Sequence, residues 1–324
     1  MVGERTVSMK ENRRALIVAL ESEYNDGTTT PEAASDAVLA REITTTPLAG
    51  NNIDRNFVRP YYGNAKQAPG EKHIQVVVEV EANTSGELGT PPPWGKMLRA
   101  CGWSEVIEVG ERVIYSPVSD DEDSCVFFAH MDGNLHKGRG AHGTPEFTFN
   151  GNATPVIRFT LYGLISPVTA AELPNVTLSQ WRDALTVNST NSENLSLLGV
   201  SAPFSQFSLN MSTQVEHMSE VVGGADVEIT GRGPSGSIQI EDPGVGVKDY
   251  FAVHQNAETG PLKLTHGKTA AEMITFYMPS IGIESPTYSA VKRKQMLTIN
   301  YMPQPVDGND EVTIVVGTPL VESP

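Results

Sequence analysis

Between Ile74 and Glu81 (IQVVVEVE) apolar and polar positions alternate with period two: Val76, Val78 and Val80 fall on one face, Val77, Glu79 and Glu81 on the other. That spacing predicts a half-buried strand with a carboxylate-bearing side shared by Glu79 and Glu81. A small, polar, glycine-containing stretch follows, then Pro91, Pro92 and Pro93. Proline opens a helix but cannot continue a strand. Trp94, Met97, Leu98 and Cys101 then recur at i, i+3, i+4 and i+7, one helical stripe, with Gly102 where a left-handed C-cap belongs. A helix of about two turns is not stable alone, so this stripe has to pack on a sheet.

The same vocabulary recurs along the chain. Residues 15–24 read as a strand running into a turn at Asn25, Asp26 and Gly27, and 31–40, rich in small residues, as one helical turn or two. Strands are predicted over 105–115 and 124–136, with Asp132 and Gly133 at the tip of a hairpin, and over 146–149 and 156–165. Residues 173–199 carry Pro174, Asn and Ser without periodicity and read as a boundary. Beyond it come a strand at 204–212, a polar loop at 213–233, a strand at 235–241, and a short helix at 247–255 with Tyr250, Phe251 and His254 near one face. Strands at 261–266, 273–278 and 295–302 close the series. Strand, long loop, strand, short helix and strands thus occur twice. The pattern predicts a mainly β chain of two tandem β-sandwich or β-barrel units, each with a short flanking helix: residues 1–172, a linker over 173–199, and residues 200–324.

One segment resists assignment to either unit. Residues 48–70 form a long loop carrying Phe57, Val58, Tyr61 and Tyr62, and compact domains rarely keep such a loop without a use. Exposed apolar side chains are costly unless something covers them, so the loop reads as an arm docking on another subunit, with a flap over its own domain as the alternative.

Composition agrees with a strand-and-turn protein: 29 Gly, 22 Pro and only 19% charged residues in 324. The formal charge of −16 argues against a protein that grips nucleic acid through phosphates, though not against one that lets DNA slide past. Cys101, on the helical stripe, and Cys125, opening an apolar strand, read as buried free thiols. The opening Met1–Arg14 has charges where a signal peptide needs an apolar core, and the run Ala15–Leu20 is far short of a membrane span, so the chain is expected to be soluble and cytosolic when made.

The search for chemistry returns weak candidates. Residues 132–143 gather His136, Lys137, Arg139 and His142, but without a carboxylate or cysteine at ligand spacing they read as solvated charges on a hairpin tip. Residues 231–237 (GRGPSGS) resemble a phosphate cradle but lead into a strand where a helix is required. Glu79 and Glu81, at i and i+2, are ordinary strand acids. No catalytic residue, metal ligand or cofactor is expected.

Four stretches in order, 47–63 (PLAGNNIDRNFVRPYYG), 79–103 (EVEANTSGELGTPPPWGKMLRACGW), 115–143 and 232–243 (RGPSGSIQIEDP), make the chain similar to the major tail tube proteins of long-tailed, siphovirus-type bacteriophages. The resemblance runs to 305–314, and Met1–Arg14 has no counterpart. It implies a β-sandwich or β-barrel with a flanking helix, whose sheets join side by side into a ring around a channel, with rings stacking into a tube for genome ejection. It implies as partners the chain itself, tape-measure, tail terminator and distal tail proteins, and viral DNA passing without specific binding. No membrane contact is expected. The place is the virion tail, after assembly in the bacterial cytoplasm. With two units per chain, three copies give a pseudo-hexameric ring; six copies are the alternative. Phe57, Val58, Tyr61 and Tyr62 are then expected at contacts between rings, and Glu79, Glu81 and Glu241 on the lumen. Competing readings are a two-domain adhesin or carbohydrate-binding protein, and a hydrolase. Negative-stain micrographs separate them: rings or filaments for the first, a sugar-binding monomer for the second, turnover independent of assembly for the third.

Overall fold

The computed structural model describes Lys10, residues 12–218 and residues 224–320, so most of the opening Met1–Arg14 lies outside the described residues. Strands dominate, all pairings are antiparallel, and two short helices flank them.

The main layer is a sheet whose strands run, side by side, Ala40–Ala49, His73–Glu81, Val156–Ile165, the C-terminal half of Gly133–Asn150, Phe204–Asn210, Ser235–Glu241 and Lys294–Gln304. The last is flanked in turn by Ile274–Ile283 and Thr287–Val291, which follow one another along its outer side. One face is the core: Val76, Val78, Val80, Phe147, Phe149, Ile157, Phe159, Phe207, Leu209, Ile238, Ile240 and Ile299 are all buried. Period-two alternation puts Glu79, Glu81 and Glu241 on the opposite, half-exposed face.

A second layer closes over the core. It runs Trp103–Glu108, Arg112–Pro117, Thr313–Gly317, the N-terminal half of Ile274–Ile283, Gly260–His266, Leu195–Leu197 and Val200–Ala202. Phe276 of this layer meets Phe147, Phe149 and Phe207 of the first, with ring centroids 5.2, 5.4 and 5.4 Å away. Such tilted and edge-on pairs add to the apolar burial. The strand Gly133–Asn150 passes from a corner sheet with Cys125–Met131 and Arg14–Leu20 into the main sheet. It turns at a register shift around Gly138 and Gly140: a Cβ on Gly138 would lie 2.2 Å from the Phe127 ring, and Gly140 has φ +53°.

The first helix packs as its stripe requires, whereas in the second Val253 joins Tyr250 in the core and His254 is exposed. Gly95–Arg99 buries Trp94, Met97, Leu98 and Cys101, Gly102 sits at φ +79°, and the Trp94 indole donates to the Asn83 carbonyl at 2.7 Å. Tyr250–Gln255 is capped by Asp249, whose carboxylate accepts from the Phe251 and Ala252 amides. Tyr250 is buried, and half-buried Phe251 packs on Tyr288, with ring centroids 5.5 Å apart. Cys101 and Cys125 are buried free thiols, and burial pushes both up in pKa.

Several elements differ from the pattern reading. Residues 31–40 make one turn, Asp36 N to Glu32 O at 2.9 Å, and then a strand, because Ala37 and Val38 pair with Ile17 and Leu16. The basic stretch 132–143 is no hairpin tip beyond Asp132; it lies inside the long strand, whose glycines the pattern took for a loop. The loop 213–233 contains a hairpin, Gln214–Met218 with Asp226–Gly231. Thr287–Val291 and Thr313–Gly317 are strands that the pattern missed.

The two halves of the sheet are paired alike, down to a bulge. Ala40↔Val80 and Glu42↔Glu79 skip Arg41; Phe204↔Ile240 and Gln206↔Gln239 skip Ser205. Glu81↔Val156 corresponds in the same way to Glu241↔Met296, and Thr148↔Val156 to Ser289↔Met296. The halves also interlock: Thr313–Gly317 pairs with Arg112–Pro117, and one contiguous core contains residues of both.

Candidate assembly surfaces

Four surfaces stand out: two strand edges, an open sheet face and an arm. Within the chain, the sheet crosses from its first half to its second where residues 146–150 pair with 210–206. The ladder is extended by Met211 N to Pro145 O at 3.2 Å and Gly151 N to Ser205 O at 2.8 Å. Odd-numbered residues of this stretch therefore turn their amides towards Phe204–Asn210.

The counterparts of these two strands at the ends of the sheet have no strand on their outer sides, although the Arg14 guanidinium donates to the Ile43 carbonyl at 2.7 Å. Thr287–Val291 pairs only with Lys294–Gln304, and Ala40–Ala49 only with His73–Glu81, among the described residues. The stretch Ser285-Pro286-Thr287-Tyr288-Ser289 repeats the chemistry of Thr144-Pro145-Glu146-Phe147-Thr148. The turn that follows, Lys292 and Arg293 at φ 45° and 73°, is a two-residue hairpin turn with both residues left-handed. In such a hairpin the flanking residues Val291 and Lys294 exchange hydrogen bonds, so the amides of Tyr288 and Ala290 point to the free edge. Tyr288 is 61% exposed.

The open face carries Glu42, Glu79, Glu81, Glu146 and Glu241 against Arg158, with Ser, Thr and Gln elsewhere. Its groups bind one another: Gln239 Nε2 donates to Ser289 Oγ at 2.9 Å, and Ser289 Oγ lies 3.0 Å from Thr298 Oγ1. Glu79 faces Arg41 at 3.5 Å, Glu241 faces Lys294 at 2.9 Å, and Glu81 accepts from the Ala184 amide at 3.2 Å. Glu79 and Glu81 are thus brought together with Glu241 on one face but not into a catalytic pair.

The arm stands away from the body. Its base is a two-residue ribbon, Asn52–Ile53 with Ala68–Pro69, held by Lys72 Nζ on the Gly50 and Asn51 carbonyls at 2.8 and 3.0 Å. Phe57 and Tyr61 are 64% and 66% exposed, and Val58 and Tyr62 wholly so. Arg59 lies over the Phe57 and Tyr61 rings at 5.9 and 6.0 Å.

The remaining candidates are structural. His142 is buried, stacked on Tyr24 at 5.9 Å, with Nδ1 3.3 Å from the Ala100 carbonyl, and burial pulls its pKa down. Lys137 sits over Phe128 at 4.8 Å, and Arg139 donates to Ser166 Oγ at 3.2 Å. Arg232, in the stretch that resembles a cradle, pairs with buried Glu311 and donates to the Val118 carbonyl at 2.6 Å. It joins the second half to the first, a role with no local sequence signal. A cavity of about 380 Å³ is lined by Asn83, Thr84, Arg182, Asp183, His266 and Glu272. His266 there is held between Ser192 Oγ at 2.8 Å and the Leu185 carbonyl at 3.0 Å. Among the described residues no three His, Cys, Asp or Glu side chains are placed to hold a metal ion.

Strand edges, an open sheet face and an exposed arm mark a β-protein whose surfaces suit packing against other chains. The family model described as phage tail tube protein matches residues 11–316, and the chain belongs to that family. It is a structural protein of the virion tail, of a kind that self-associates into a tube. No curated protein matches the chain.

Proposed function

We propose that the chain contains two tandem tube units and that three copies close into a pseudo-hexameric ring by sheet pairing between copies. Stacked rings form the tail tube of a siphovirus-type phage, assembled in the host cytoplasm, and its channel conducts the genome at ejection. Tape-measure, terminator and distal tail proteins meet the tube. The observation that carries this reading is the junction of 146–150 with 206–210, whose counterparts at the two ends of the sheet are unpaired. Carrying its register over sets Thr287 opposite Thr46 of the next copy, Tyr288 opposite Thr45, Ser289 opposite Thr44, Ala290 opposite Ile43 and Val291 opposite Glu42. Both edges of the main sheet are then covered, which removes the hazard of leaving them open. Three copies place six four-stranded groups around the axis, and the open face with Glu79, Glu81 and Glu241 lines the channel.

The test is a cross-link. Ser289 and Thr44 would form a non-hydrogen-bonded pair, with Cα atoms about 4.5 Å apart, within disulfide range. Both native thiols are buried and give little background. The double variant Ser289→Cys/Thr44→Cys should oxidise to a covalent trimer. Monomers or linear chains without closed trimers under assembly conditions would sink the register, and a covalent hexamer would establish six copies per ring.

A further inference from the structure

The arm and the second-half hairpin occupy the same place in the pairing scheme. Residues 50–72 connect Ala40–Ala49 to His73–Glu81, and residues 211–234 connect Phe204–Asn210 to Ser235–Glu241. Both connections contain a two-stranded ribbon. Their surroundings differ. The hairpin is seated on the half of the sheet that precedes it: Thr213 N donates to Thr144 Oγ1 at 3.0 Å, and the Val227 amide donates to the Tyr24 hydroxyl at 2.7 Å. His217 lies 5.4 Å from His73, Val227 is 1% exposed, and Ile229 covers Gly102 at the end of the first helix. The arm has no such seat among the described residues of its own chain, where no strand is paired to the outer side of Ala40–Ala49.

We propose that the arm of each copy lies across the second half of the neighbouring copy in the same ring, as the hairpin lies across the first half of its own chain. This rests on the ring reading above, in which the second half of one copy precedes the first half of the next. The equivalent seat is formed by residues 277–285 and 302–306. It exposes Met302 and Val306, 46% and 62% accessible, to an arm with five exposed apolar side chains, Ile53, Phe57, Val58, Tyr61 and Tyr62. Charge is complementary. Residues 50–72 carry Arg55, Arg59, Lys66 and Lys72 against Asp54 and Glu71, whereas exposed Glu258, Glu284 and Asp307 border the seat against half-buried Lys263. The same aromatics were expected from the sequence at contacts between stacked rings; the pairing scheme points to a lateral contact within one ring.

The experiment places the photo-crosslinker p-benzoylphenylalanine at Phe57 and, separately, at Tyr62 in the full chain, and maps the products by peptide mass spectrometry. Cross-links between copies that land in 277–285 or 302–306 are expected. Cross-links between copies confined to other segments, or confined to the same chain, overturn the lateral seat. Run in the Ser289→Cys/Thr44→Cys background, the experiment separates the two readings. A covalent trimer with misplaced arm cross-links removes the lateral seat and leaves the ring, whereas failure of the trimer removes both.

Discussion

Substituting Ala290 by proline tests ring closure with little damage to the monomer. The Ala290 amide faces the bare edge, so its own chain does not use that donor, and proline is tolerated on an edge strand whose N–H side is open. The intrachain junction sets the scale. Residues 147 and 149 exchange bonds with 209 and 207, and Met211 N to Pro145 O and Gly151 N to Ser205 O extend the ladder, about six bonds in all. Between copies Pro47 stands where Met211 does and has no amide to donate, so about five bonds remain; at a net contribution of about 1 kcal/mol each, such a junction is worth about 5 kcal/mol before side chains are counted. Proline at its centre removes one donor and sets its ring against the facing strand, a cost of about 3 kcal/mol. That corresponds to about a hundredfold weaker association per junction.

Sedimentation velocity over a concentration series, with negative-stain micrographs, reads the outcome. Ala290→Pro should stay monomeric where the parent chain forms rings, with an unchanged melting temperature for the monomer. Ser289→Pro is the control: its amide belongs to the pair with Met296, so it should destabilise the monomer itself. Assembly of Ala290→Pro at parental concentrations would refute the edge-pairing argument.

Phe57→Ser/Tyr61→Ser/Tyr62→Ser should leave the monomer's stability unchanged, since all three rings are exposed, while raising the concentration needed for assembly at least tenfold. At about 25 cal/mol per Å², roughly 100 Å² of apolar surface lost per ring amounts to several kcal/mol; unchanged assembly would remove the arm from the interface. Trp94→Ala empties a fully buried site and orphans the Asn83 carbonyl, so urea unfolding should show a loss of about 3–5 kcal/mol, and a loss below about 1 kcal/mol would contradict the packing. Acid should unfold the chain through its histidines. Burial holds His142 and His266 below the ordinary 6.5, so the unfolded chain takes up protons at higher pH than the fold. Stability is then full above about pH 6.5 and falls as pH drops through the depressed native values; a melting temperature flat from about pH 7 to about pH 5 would be the contrary result.

What was legible in the sequence depended on whether a residue's role is written in its own neighbourhood. The helical stripe from Trp94 to Cys101 and the strands 156–165 and 235–241 carry their periodicity within one element, and the structure follows it. Val156–Ile165 has Ile157, Phe159 and Leu161 inward and Arg158 and Thr160 outward, a pattern that holds on any sheet with one buried face. Gly133–Asn150 was misread because its glycines serve close packing at a corner, where a pattern reading takes them for a loop. Thr287–Val291 was missed because an edge strand is half bare in the monomer and has no apolar side to show. The Thr-Pro-x-Phe-Thr and Ser-Pro-x-Tyr-Ser pair was a signal in plain view, but it becomes meaningful only once pairing shows that both segments hold the same register. Arg232 and Glu311 are far apart in sequence, and nothing local marks either as half of a buried pair.

If the open face lines the channel, as proposed, its chemistry lets a wall touch a polyanion without holding it. Counterion release makes each lysine or arginine that reaches a phosphate a source of affinity, so a conducting surface has to withhold such groups. On this face Arg158 stands between Glu79 and Glu146 on the paired strands, and Arg41 and Lys294 are engaged by Glu79 and Glu241. Several neutral donors are occupied as well. Gln239, Ser289 and Thr298 bind one another, and Ser208 receives the Ser237 amide at 3.3 Å while donating to its carbonyl at 3.2 Å. A phosphate reaching for one of these groups would have to break a bond inside the wall for each bond it made. The net gain is close to zero, as for any hydrogen bond exchanged like for like. The excess of carboxylates adds a weak outward push, screened beyond about 8 Å at physiological ionic strength. On the proposed reading, low affinity comes from the sheet's own cross-strand pairing as much as from the chain's charge of −16.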